Sequence, residues 1–205
     1  MAQAKAGRER ASRRVGHLPH FNDLLRFFSK SEFQPEERRS LVHGDFKLDN
    51  LVFHKTEPRV IGILDWEMAT EGHPLADLAN LVSPFLWSAE NIPLLTELSL
   101  TEELRELQSN CCPGNLPGLP TWEDCQAWYH RLAGWDPSEG LEWAAAFNNF
   151  RTAVIMQGIA SRMEMGQASG VEAKQFAMQT LPYAMWAHAR SENIEWRSKK
   201  PSPRM

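Results

Sequence analysis

Cysteine is scarce in this chain: three among 205 residues, two of them the adjacent pair Cys111 and Cys112. Neighbouring cysteines bridge each other only with strain and no CxxC occurs, so a disulfide framework is not expected and a reducing compartment is the default. The first sixteen residues, MAQAKAGRERASRRVG, have no apolar core long enough for a signal peptide, so none is expected there, and no later run is long enough to span a membrane. Histidines are present, but His54, His130 and His188 have no partners at metal-ligand spacing and read as ordinary surface or half-buried residues. Basic residues are concentrated at the ends. Residues 1–16 carry five Lys or Arg against one Glu, and 197–205 carry four with no acid. Thirteen bases and twenty-five acids remain between them, a body at −12, which is a poor nucleic-acid surface.

What the chain does contain is enough apolar residue, 42% with eight Trp, for one packed domain or the larger lobe of a two-lobed enzyme. Its most informative stretch is Leu41 to Trp66, LVHGDFKLDNLVFHKTEPRVIGILDW. Asp45 lies in HGD, Asn50 follows five positions later, and Asp65 closes the apolar run Val60 to Leu64. Short strands are expected at Ser40 to His43, Leu51 to Phe53 and Val60 to Leu64, with Thr56 to Pro58 as a hairpin connection. That hairpin returns Asp65 to the neighbourhood of Gly44 to Asn50. Asn50 and Asp65 are then candidates to share one cation, with Asp45 facing an acceptor hydroxyl, the set that phosphoryl transfer from a magnesium nucleotide requires. Asp49 and Glu67 read as solvated carboxylates.

HGDFKLDN followed by ILDW resembles the aminoglycoside phosphotransferase and choline kinase family of kinase-like small-molecule phosphotransferases. The resemblance implies an α+β fold: a protein-kinase-like carboxy-terminal lobe, mostly helical, with a few short strands around the catalytic loop. It implies ATP and Mg2+ as cofactors and a small-molecule hydroxyl as substrate. It makes Asp45 the catalytic base or hydroxyl orienter, Asn50 and Asp65 the magnesium ligands, and His43 a structural residue of the loop. Lys47 stands where a cation reaches the transferred phosphate. The EGHPLADLANL that follows fits the family's GxPxxDLA stretch, and Asp77, on a helix beginning near Pro74, would anchor the catalytic loop. His73 stands where many relatives have Asp, which is expected to disturb helix capping.

The likeness covers most of residues 17–190. GWDP, Phe147 to Arg151 and VIMQGIASR are similar to fungal-type members and to the kinase halves of acyl-CoA dehydrogenase family members 10 and 11, which points to a hydroxy-acid acceptor. The family has a whole amino-terminal lobe before its catalytic strand, whereas 42 residues precede His43 here, with no Gly-rich loop and only Lys5 and Lys30 as lysines. An alternative is therefore carried forward: an amino-terminally truncated, inactive lobe that acts by binding or has no function. In that case an apolar surface where the other lobe would sit favours self-association or a partner. A protein kinase is disfavoured by Gly44 in place of the Arg of HRD and by the lack of an APE motif after Asp65.

The expected organisation is a disordered basic start over 1–16, the lobe over 17–190 and a basic tail over 191–205. Residues 1–16 are alternatively read as mid-domain sequence of the relatives. No membrane or nucleic-acid partner is expected, and the expected location is cytoplasmic, with mitochondrion and peroxisome left open. Helices are expected over Pro19 to Phe28, on a stripe of Phe21, Leu24, Leu25 and Phe28, and over Ser99 to Gln108. Others are expected over Trp122 to Ala133, capped by Thr121 and stopped by Gly134, and from Asp136 to Gly166 or Gly170. A last helix over Val171 to Ala189 is expected to bend near Pro182. Gln34 to Arg39 is expected to turn, and 83–93 and 111–120 to be irregular.

Overall fold

The computed structural model describes residues 15–86, 117–167 and 171–199. Along the chain these form α1 (Phe21–Phe28), β1 (Ser40–Val42), β2 (Leu51–Phe53), β3 (Val60–Ile63), β4 (Thr70–Gly72) and α2 (Leu75–Val82). Then come α3 (Trp122–Ala133), α4 (Ser138–Glu164), α5 (Val171–Met178) and α6 (Thr180–Lys199). Four 3-10 turns punctuate the first half, at Ser31–Phe33, Leu48–Asn50, Trp66–Met68 and Ser83–Leu86. The helix expected at Ser99 to Gln108, the Cys111 to Leu116 loop, most of the basic start and the last six residues lie outside the described residues.

The chain divides into two compact units, residues 35–145 and residues 1–34 with 146–205. In the first, two small antiparallel sheets carry the loop of interest. β2 pairs with β3, Leu51 opposite Ile63 and Phe53 opposite Val60, with a bulge that leaves Ile61 as the extra residue. The turn is closed by His54, whose N–H donates to the Arg59 carbonyl at 2.9 Å while its ring Nδ1 accepts from Glu57 N–H at 3.1 Å. β1 pairs with β4, Ser40 opposite Gly72 and Val42 opposite Thr70. β4 is a strand that the sequence did not announce: Thr70, Glu71 and Gly72 have neither apolar alternation nor a β-branched run, and pairing alone makes them a strand.

α2 starts where expected, one residue after Pro74, and His73 caps it. The ring Nδ1 of His73 accepts from the Leu75 N–H at 3.2 Å, and its Nε2 lies 3.0 Å from the Glu36 carbonyl. The expected loss of capping at this position is thus corrected: one ring nitrogen supplies the acceptor that a helix start needs, and the other fixes the tautomer. Leu75, Leu78, Ala79 and Val82 of α2 pack with Cys125 of α3 and with Leu141 and Ala144 of α4, bordered by Phe85, Trp122, Tyr129, Trp135 and Trp143. Burial pushes the Cys125 thiol above its ordinary pKa, with Asp124 adding to it, as befits a core cysteine.

α3 has the expected bounds because its signals are local. The Thr121 hydroxyl accepts from Asp124 N–H and the Asp124 carboxylate accepts from Thr121 N–H, each at 3.0 Å, and Gly134 ends the helix in the left-handed region. Cys125 on it is buried, whereas Leu132 is 82% exposed. α4 is capped by Asp136, which accepts from Ser138 N–H at 2.9 Å, and ends with Gln167 N–H on the Arg162 carbonyl around Gly166 at φ 68°. Its buried positions are mostly small residues, Ala144, Ala145, Ala146 and Ala153, whereas Phe147, Val154 and Ile155 are exposed.

In the second unit α1 packs on α6, Leu24, Phe27 and Phe28 of α1 are buried, and Lys30 Nζ meets Glu195 at 2.7 Å. Phe27 is buried in place of the expected Phe21 and Leu25, both of which are exposed. Phe28 stacks on Phe150 at 5.5 Å and meets Phe147 edge-on at 5.2 Å. The expected single last helix is two. α5 ends at Met178 and α6 begins at Thr180, because Pro182 lacks an N–H and its ring would clash with the carbonyl four residues back, at Met178. α6 then continues to Lys199, so residues 191–199, expected as the start of the tail, are helical.

Candidate active site

The loop between β1 and β2 is held from below by α2. The Asp77 carboxylate accepts from His43 N–H at 2.7 Å and from Gly44 N–H at 2.9 Å, one amide on each oxygen. Two consecutive main-chain donors bonded to one carboxylate leave little freedom in the turn, so the expected anchoring contact of Asp77 is present. His43 ties the other side. Its Nε2 donates to the Leu64 carbonyl at 2.8 Å and its Nδ1 accepts from Asp45 N–H at 3.2 Å, so the ring bridges the end of β3 to the loop. It is 2% exposed, a buried imidazole with both nitrogens engaged.

Gly44 sits between these anchors at φ 85°, and a Cβ there would lie 2.6 Å from the Met68 carbonyl oxygen. The backbone of the turn after Asp65 thus packs directly against this glycine, which explains why HGD needs its central residue. The next residue, Asp45, projects its carboxylate among three donors. Lys47 Nζ is 2.9 Å from Oδ2, Asn50 Nδ2 is 3.3 Å from the same oxygen, and Asn80 Nδ2 is 3.5 Å from Oδ1. Burial alone would raise the Asp45 carboxyl, but Lys47, Asn50 and Asn80 outweigh it and hold the group below its ordinary value. It is a carboxylate that stays charged.

Asn50 is buried, its Nδ2 spent on the Asp45 main-chain carbonyl at 2.8 Å as well as on the side chain. The amide is therefore oriented, with its oxygen the remaining polar atom. Its own carbonyl accepts from Leu64 N–H at 2.9 Å, so the backbone carrying Asp65 runs beside Asn50, as the hairpin geometry requires. Asp65 is exposed and adopts φ 68°, ψ 51°, a left-handed conformation rare outside Gly, Asn and Asp. Asp49 and Glu67 are exposed.

Lys47 lies on Asp45. Asn80 was not among the expected residues. It donates to the Phe46 carbonyl at 3.2 Å as well as reaching Asp45, and its only signal in the sequence is its position three residues after Asp77, on the same face of α2.

Residues 4–106 match the family model described as APH, phosphotransferase enzyme family. The chain belongs to this family. Over 168 residues, 82% of the chain, it is 35% identical to acyl-CoA dehydrogenase family member 11 of Rattus norvegicus and 32% identical to that of Homo sapiens. A probable acyl-CoA dehydrogenase of Arabidopsis thaliana is 33% identical over 78% of the chain. The chain spans about a fifth of the length of these curated relatives. Among solved structures, a putative aminoglycoside phosphotransferase from Ralstonia eutropha superposes with a TM-score of 0.68 at 26% identity, covering 92% of this chain and 55% of that one. The family's kinase-like α+β fold is thus the fold of this phosphotransferase-family chain.

Proposed function

We propose that the chain carries the phosphoryl-transfer site of an ATP- and Mg2+-dependent phosphotransferase acting on the hydroxyl of a small molecule. The observation that carries this reading is the Asp45 carboxylate, kept ionised by Lys47, Asn50 and Asn80 on a loop whose amides are clamped by Asp77. A carboxylate so placed orients a hydroxyl and accepts its proton as the oxygen becomes bonded to phosphorus; being a weak base, it does more by position than by basicity. Asn50 and Asp65 are the residues that would hold Mg2+. Both offer hard oxygen donors, and the Asn50 amide is already oriented by giving its N–H groups to Asp45. The ion supplies charge neutralisation between nucleotide phosphates. Lys47, at 2.9 Å from Asp45, is the cation that would meet the transferred phosphate.

The test is ADP release from Mg-ATP over a panel of hydroxylated small molecules, hydroxy acids included, beside Asp45→Asn. Acceptor-dependent release that falls by about a hundredfold or more in Asp45→Asn supports the reading. Equal rates in the two proteins would remove Asp45 from the chemistry.

One observation favours a second reading, a lobe that acts by binding. On the β2–β3 hairpin and the turn after it, Phe53, Ile61, Leu64 and Trp66 are between 44% and 55% exposed. That reading expects a folded chain that captures a partner or a second copy while releasing no ADP with any acceptor.

A further inference from the structure

Outside the loop at Asp45, the second unit brings together three groups that nothing in the phosphoryl-transfer reading uses. His20 lies at the start of α1, Asp23 one turn into it, and His188 far along α6. One ligand atom from each lies within 4.8 Å of the other two. The two imidazole rings are 3.7 Å apart between centroids, and His20 Nδ1 is 3.7 Å from Asp23 Oδ2. Sequence spacing hid this, because His188 is remote in the chain from His20 and Asp23 and meets them by the packing of α1 on α6.

We infer that His20, Asp23 and His188 form a binding site for a divalent transition-metal ion of the Zn2+ class. Further observations bear on it. The Nδ1 of His188 is buried and has no hydrogen-bond partner. Its Nε2 lies 3.9 Å from the Glu192 carboxylate, outside hydrogen-bond distance. His20 holds φ 56°, ψ 16°, an uncommon conformation for a residue with a side chain, and makes no capping bond to α1 with its ring.

The chemistry of the donors selects the ion. Two imidazoles and one carboxylate suit Zn2+, Co2+ or Ni2+, whereas Mg2+ prefers an all-oxygen set such as Asn50 and Asp65. Bonds of about 2.0–2.2 Å put tetrahedral ligand atoms roughly 3.5 Å apart, so the observed separations close by side-chain rotation. Asp23 Oδ1 is engaged by Arg26, which leaves Oδ2 facing His20. A cleft of about 780 Å³ lined by His20, Asp23, Arg26 and Gln157 opens next to the cluster and gives an ion a path in from solvent.

The experiment is calorimetric titration of the metal-stripped full chain with Zn2+, repeated with Co2+ while its visible absorption is recorded, beside His20→Asn, Asp23→Asn, His188→Gln and Asp65→Ala. Asn tolerates the left-handed backbone at position 20, and the two positions on α1 keep the test decisive should His188→Gln fail to fold. The expected result is one equivalent of Zn2+, a Co2+ spectrum of nitrogen ligation, and affinity lower by about tenfold or more in His20→Asn and Asp23→Asn, with Asp65→Ala unchanged. No saturable Zn2+ binding, or binding that the His20 and Asp23 variants leave intact, overturns the inference.

Discussion

At the scale of the residue, the Asp45 carboxylate is the centre of the arrangement and His43, Gly44 and Asp77 are what hold it. Gly44→Ala should destabilise the fold by roughly 1–3 kcal/mol, since the new methyl carbon meets the Met68 carbonyl at 2.6 Å with the backbone at φ 85°. Chemical denaturation reads this directly, and an unchanged midpoint would mean the turn relaxes freely. Asp77→Asn leaves one oxygen facing an amide and turns an NH2 toward the other. It should lower activity more than stability, and a stable but fully active variant would contradict the clamp. These residues were legible because HGD, Asn50, Asp65 and Asp77 are motif residues at fixed spacing. Asn80 was not, because an Asn on a helix face carries no sign of which carboxylate it will meet. The meeting of His20 and Asp23 with His188 was invisible for a stronger reason: it is made by packing between helices remote in sequence.

At the scale of the element, boundaries were legible where a side chain fixes them locally. Thr121, Asp124 and Gly134 define α3, and Asp136 and Gly166 define α4. The Asp124 and Asp136 carboxyls are held below the ordinary value of 3.8, first by main-chain amides of Thr121 and Ser138 respectively. Asp45 is lowered as well. A depressed folded pKa contributes stability that is present above the unfolded value and lost as pH falls through the folded one. Stability should therefore decline as pH drops below about 3.8, and the decline should be shallower in Asp124→Asn. Equal acid sensitivity in wild type and variant would contradict this. At α2, His73→Ala should cost about 1 kcal/mol, the usual value of a helix cap. Elements that depend on partners were less legible. β4 is a strand only because β1 lies beside it, and on α1 Phe27, stacked on Phe33, is buried while Leu25 is exposed.

At the scale of the whole molecule, the described residues form two compact units, and the residues proposed for phosphoryl transfer all fall within residues 35–145. The apolar hairpin residues Phe53, Ile61 and Leu64 sit in the same unit and are exposed. Contiguous exposed apolar surface is what drives association. The sedimentation coefficient should rise with protein concentration, and Ile61→Ser with Phe53→Ser should reduce that rise; a concentration-independent monomer would contradict it. The fold class was readable because the family's motif brings its fold with it, whereas the acceptor is not written in any single motif.

The measurement that tests the central claim most directly is the thermal transition of the full chain with millimolar ATP, with and without Mg2+, in wild type and Asp65→Ala. A ligand that binds the folded state raises its stability in step with concentration over the dissociation constant, so weak affinity still registers at millimolar nucleotide. The account predicts a rise in Tm that requires Mg2+, grows with ATP and disappears in Asp65→Ala. A folded wild-type chain with no such rise, or the same rise in Asp65→Ala, would contradict it.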